Sequence, residues 1–184
     1  MNTRTLGTLC IVGSLIWALD GIRWAVIGLD DFDTLAILAN ALWAAGGACA
    51  IVGMIRLNAV GANAIVRALA FVPIIGFLLL VVGNIMQLAG LVTTDTNMAA
   101  GLAWLLQLVG TLLVAILTIA ARTWQGWRRF VPLLCIVLVP VGFGLDAALG
   151  RNGVGTALLA LTWMLLGYVV ATAEPVADLR QAHA

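Results

Sequence analysis

Residues 66–92 read VRALAFVPIIGFLLLVVGNIMQLAGLV. After Arg67 the run carries no charged side chain over 25 residues. A helix of about 20 mostly apolar residues spans the hydrocarbon core of a bilayer. This stretch is longer than that, so it predicts a transmembrane helix. Outward from it, five further stretches qualify, at 6–28, 34–55, 98–121, 130–149 and 155–173. The breaks between them hold turn and charge signals, such as Asp30-Asp31-Phe32-Asp33 and Arg122 to Arg129. Each connection is short, which leaves no room for a soluble or nucleotide-binding domain. The expected fold class is all-α: a single transmembrane helical domain, 1–184, of six membrane-spanning helices.

Composition says the same. The chain has 184 residues, 64% of them hydrophobic and 9% charged. Its mean hydropathy is +1.15. Globular chains carry roughly 25% charged residues, so this one cannot clothe a water-facing surface. The first run is expected to be a span rather than a signal peptide. Only Arg4 precedes it, and Asp20 sits where cleavage would fall.

Absent residue types exclude chemistry. There is no Lys, so a retinal Schiff base is impossible. The single His, His183, is the penultimate residue, which argues against intramembrane haem, zinc or a Ser/His hydrolase. Cys10, Cys49 and Cys135 form no C-x-x-C pair. Asp20-Gly21 begins like the box of CDP-alcohol phosphotransferases, but Trp24 and Ala25 stand where Ala and Arg should. No cofactor, metal site or catalytic residue is expected, and the net charge of +1 gives no sign of nucleic-acid binding.

Arginines set the expected orientation. The N-terminus, second and fourth connections and C-terminus hold Arg4, Arg56, Arg67, Arg122, Arg128, Arg129 and Arg180. The other side holds Arg23 and Arg151, with Asp30, Asp31, Asp33 and Asp95. The positive-inside rule then places both termini in the cytoplasm.

The chain also matches itself at an offset of 59. Phe71-Val72-Pro73 recurs as Phe130-Val131-Pro132, Val82-Gly83 as Val141-Gly142, and Trp104 as Trp163. Residues 71–106 give ten ungapped identities. Trp43 stands in the corresponding place in the first hairpin. The reading is three tandem helical hairpins, about 6–56, 65–121 and 129–173. Gln87 aligns with Asp146, and Asp20 lies at a similar depth.

Charges within a span need a reason, since each costs at least ~2.5–3.5 kcal/mol at the bilayer centre. Asp20 lies about 14 residues into its helix, or ~21 Å from the cytoplasmic end at 1.5 Å per residue. Arg23, at i+3, is placed to pair with it. Asp146 follows Pro140, Gly142 and Gly144, a sequence expected to break the helix beside a carboxylate. The alternative is that Asp146 pairs with Arg151. Asn84 and Gln87 share a face of the third span, with Asn40 and Gln107 on the second and fourth. Such amides serve as interhelical hydrogen-bond partners. Asp20, Arg23, Asn84, Gln87 and Asp146 form the candidate polar pocket, open to the outer side. The run Ala44 to Ala50 is rich in small residues and is expected to pack within the bundle rather than form a dimer face. Arg122, Trp124, Trp127, Arg128 and Arg129 are expected to anchor the inner interface, with Trp24 as the outer counterpart.

The three-hairpin layout, with Trp or Gly recurring in the even helices, resembles the HdeD-like stress-associated membrane proteins of bacteria. Arg122 to Pro132 and Trp163-Met164-Leu165-Leu166-Gly167-Tyr168 also resemble many bacterial six-span proteins of unassigned role. The resemblance implies a bacterial inner-membrane protein, with a link to stress, and supplies no catalytic residues. The functional expectation is a non-enzymatic protein binding or moving a small ligand or ion at the outward pocket. The alternative is a structural or accessory subunit that packs against lipid, a membrane-protein partner or a second copy.

Overall fold

The computed structural model describes residues 1–28, 33–93 and 97–173. Asp30, Asp31, Asp95, Glu174, Asp178, Arg180 and His183 lie outside the described residues. The helices are α1 (Thr3–Ile27), α2 (Thr34–Arg56), α3 (Ala64–Leu69), α4 (Phe71–Leu88), α5 (Met98–Ala121), α6 (Val131–Leu149) and α7 (Val154–Thr172), with a 3₁₀ turn at Gly126–Phe130 before α6. No strand occurs among the described residues. Six of these units are long and apolar enough to cross a membrane, α3 joining α4 and the 3₁₀ turn joining α6. The chain is an all-α polytopic membrane protein.

Polar caps mark the starts. Asn2, Asp33, Asn63 and Asn97 precede α1, α2, α3 and α5, and each accepts from a backbone N–H of the first turn. Gly28 and Gly150 end α1 and α6 in the left-handed conformation, which a glycine adopts without strain.

The predicted third span, 66–92, is not one helix. It divides at Ala70 and ends at Leu88. Pro73 explains the division: it has no N–H for the Leu69 carbonyl, and its ring crowds that position. Pro132 stands in the same relation to the 3₁₀ turn ahead of α6. The expectation at Pro140 is corrected in the opposite sense, because α6 runs unbroken through it. One missing donor frees one carbonyl, whereas unwinding in hydrocarbon would strip many more groups of partners.

The helices form a closed ring in chain order, α1–α2–α4–α5–α6–α7, with α7 returning to α1. The α1–α7 interface is the most extensive and α5–α6 the thinnest of the six. Glycines bring α1 and α7 together: a methyl on Gly167 would stand 2.8 Å from the Gly7 carbonyl oxygen, and one on Gly21 2.7 Å from that of Gly153. The Ala44–Ala50 stripe is used inside the bundle, Gly46 lying against Cys10 of α1 and Gly47 against the Phe77 ring.

Aromatic rings fill the centre. Trp43 stacks on Trp17 with centroids 4.0 Å apart and on Trp104 at 5.5 Å. It meets Phe77 and Trp163 edge-on at 5.6 and 5.9 Å. The tryptophans that align in sequence across the three hairpins thus converge on one point. Such ring pairs add ~0.5–1.5 kcal/mol each beyond the area they bury.

At the end carrying the N-terminus, the Thr123 hydroxyl donates to the Ala59 carbonyl at 2.8 Å and joins two connections. Trp124 lies behind it and is buried in the core. The expectation that Trp124 sits among headgroups is therefore corrected. The short connection folds its indole inward, while Trp127 stays exposed and the Arg129 guanidinium lies 4.7 Å over the Phe130 ring.

Candidate functional site

At the opposite end of the bundle, three polar arrangements meet. The first begins at Asp20, about two turns before the end of α1. Arg23 follows at i+3, so both side chains lie on one face. Its Nε donates to Asp20 Oδ1 at 2.9 Å, and Nη2 lies 2.7 Å from the same oxygen. Nη1 and Nη2 also donate to Asp33 Oδ2 and Oδ1, both at 2.7 Å. This fork-to-fork contact is the strong geometry for a guanidinium and a carboxylate. Asp33 Oδ1 accepts from Ala36 N as well, at 2.9 Å, and so caps α2. Hydrogen bonds from Arg23 first, then from the backbone, hold the Asp33 carboxyl down at about 2. The Asp20–Arg23 pairing expected from spacing is present, and Asp33 extends it into a clamp between α1 and α2.

The second arrangement is at Asp146. Its Oδ1 accepts from Gly155 N at 2.8 Å, in the first turn of α7, where backbone donors lack helical partners. Arg151 does not pair with it. That side chain reaches toward the Ala25 carbonyl at 3.4 Å from an exposed position. The two helices approach closely here, since a methyl on Gly142 would meet Gly155 Cα at 3.2 Å. The third element is Asn40 of α2, 4% exposed, with an Oδ1 that has no hydrogen-bond partner.

Between them lies a cavity of about 530 Å³. Asp20, Asn40 and Asp146 line it from three helices. Trp17, Trp24 and Trp104 supply ring surface, and Phe143, Arg151 and Asn152 stand toward the rim. Trp17 and Trp104 are the rings stacked on Trp43, so the cavity floor is the aromatic core itself. A volume of this size suits a drug-sized or smaller ligand.

Of the predicted pocket residues, Asp20 and Asp146 line the cavity, and Arg23 acts behind Asp20. Asn84 and Gln87 of α4 do not line it. Asn84 is buried with its Nδ2 unpartnered. The reason is the ring order: α4 sits beside α2 and α5, away from the α6–α7 hairpin that walls the cavity. Trp24, expected at the outer headgroup boundary, also forms a wall of the cavity. The capping role of Asp33 has a sequence signal, an Asp directly before an apolar helical run, whereas its clamp role has none. Trp17, Asp20 and Trp24 fall at i, i+3 and i+7, one helical face, and that spacing marks the α1 wall.

Comparisons of the chain with protein-family models, with curated proteins and with solved structures find no match.

Proposed function

We propose that this protein binds a small molecule in the cavity between α1, α2, α5, α6 and α7. The single observation that carries the reading is the convergence of Asp20, Asn40 and Asp146, from separate helices, on one space already shaped for a ligand. A few placed polar groups within an otherwise apolar pocket are the usual make-up of a binding site. The packed aromatic floor favours binding over conduction, because five interlocked rings stand where a pore would run.

The reading sets the protein in a bacterial inner membrane, with both termini cytoplasmic and the cavity on the outer side. Two observations support this. Arg4, Arg56, Arg67, Arg122, Arg128 and Arg129 belong to the end away from the cavity, where the positive-inside rule wants them. The three-hairpin layout resembles the HdeD-like proteins of that membrane. The surrounding partner is the lipid bilayer, against which residues such as Ile75, Val82 and Leu105 stand exposed.

A thermal-stability screen of water-soluble small molecules on the purified full chain in nanodiscs tests the proposal. A binder raises the Tm of the wild type and not that of Ala147→Trp, where an exposed cavity-lining position is filled by an indole. Equal stabilisation of the two chains by every binder would refute a ligand site in the cavity.

A further inference from the structure

We infer that the cavity accepts an amphipathic organic cation, an ammonium group carried on an apolar or aromatic body. This rests on the binding proposal above and gives the ligand's chemical class. Charge is the first ground. Asp20, Asp33 and Asp146 stand against Arg23 and Arg151 at the described site, which leaves one negative charge in excess. The positive charges are also occupied or peripheral. Arg23 is held by two carboxylates, and Arg151 is at the exposed rim.

The second ground is hydrogen-bonding capacity. Among the described residues, the bonds accepted by Asp20 and Asp146 fall on Oδ1 of each. Their Oδ2 atoms accept no hydrogen bond from the described residues, and Asn40, which lines the same cavity, has a buried carbonyl oxygen without a partner. An ammonium brings N–H donors and the charge that strengthens such bonds. A carboxylate or phosphate ligand would bring further acceptors and meet two carboxylates of its own sign.

The third ground is the ring surface. Trp17, Trp24 and Trp104 all border the space, and an indole face is the best aromatic partner for a cation. The apolar body is indicated by the membrane-side wall. Phe143 of α6 lines the cavity while 65% exposed, beside the thin α5–α6 interface. A ligand there has one end among carboxylates and the other against hydrocarbon.

The test uses three molecules of one shape: 2-phenylethylammonium, 2-phenylethanol and 3-phenylpropanoate. Each is titrated against the full chain in phosphatidylcholine nanodiscs, with tryptophan fluorescence as the readout. The expected result is a saturable response to the ammonium, with the alcohol and the carboxylate at least about tenfold weaker. Asp146→Asn keeps an acceptor for Gly155 N, so the start of α7 stays capped while the charge is lost. This variant is expected to weaken ammonium binding about tenfold and the alcohol much less, so that the gap between the two narrows. Asp20→Asn is the second variant, should the first unfold. Tightest binding of 3-phenylpropanoate, or equal binding of all three, overturns the cation class and leaves a pocket of other chemistry. Silence from all three also overturns it, and the Ala147→Trp comparison then decides separately whether the cavity binds anything.

Discussion

Arg23 is the residue on which the end of the bundle turns. It makes hydrogen bonds to carboxylates from two helices, and the side chain is 24% exposed. Arg23→Ala leaves Asp20, 10% exposed, without its cation. The expected cost is ~1.5–3 kcal/mol, the range for hydrogen bonds to charged groups, read as a lower Tm in detergent or nanodiscs. Asp33→Asn should cost less, because Asn still caps α2 and Asp33 is 40% exposed to screening solvent. Wild type and Asp33→Asn also separate in pH. The Asp33 carboxyl is held at about 2, below its ordinary value near ~3.9. A lowered carboxyl stabilises the fold at pH above its unfolded value, and that contribution fades as pH falls through the folded one. Wild-type Tm should therefore drop faster than that of Asp33→Asn between about pH 4 and pH 2. Parallel curves would show that the Arg23–Asp33 contact carries no stability. The Asp20–Arg23 half of the clamp is legible from spacing alone. The Asp33 half is not, because pairing across a turn depends on how α2 enters the bundle.

At the scale of elements, the glycines separate into two kinds that sequence does not distinguish. Gly21 faces the backbone of α7, so a methyl there meets a carbonyl oxygen and a nitrogen that cannot yield. Gly144, five residues before the end of α6, has no neighbour within 4 Å of an added methyl. Gly21→Ala should therefore destabilise by ~1–3 kcal/mol through overpacking. Gly144→Ala should be neutral or stabilise by up to ~1 kcal/mol, because alanine is the better helix former. Thermal unfolding of the two variants side by side checks the pair, and the reverse order would refute the packing described for α1 and α7. The limits of the elements are legible to within a few residues, since hydrophobic length alone defines a span. The exceptions turn on proline, and the same residue acts oppositely in two places. Pro73 parts two helices, while Pro140 is carried inside one. Local sequence cannot tell these apart, because the outcome depends on what surrounds the freed carbonyl.

For the whole molecule, the aromatic hub is the common support of fold and cavity. Trp43 is 1% exposed and touches four other rings. Trp43→Ala should cost ~3–5 kcal/mol and leave a void beneath the cavity floor. It is expected to lower Tm by more than any other single substitution named here and to abolish ligand stabilisation together with it. Trp43→Phe should restore much of both. Fold class and six spans are legible because the bilayer imposes one length and one polarity on every span. The site is legible only in part. Depth along each helix shows that Asp20, Gln87 and Asp146 are level with one another. Depth does not give position around the ring, and that alone admits Asp20 and Asp146 to the cavity and leaves Gln87 outside.

The glycine-lined seam between α1 and α7 has a consequence for biosynthesis. The broadest helix–helix surface joins α1 with α7, the first and last of the six described spans. Gly7 and Gly21 pack against the backbone of the α7 segment, so the ring of helices stays open until that segment is in place. The cavity, walled by both helices, is closed only once α7 has docked against α1.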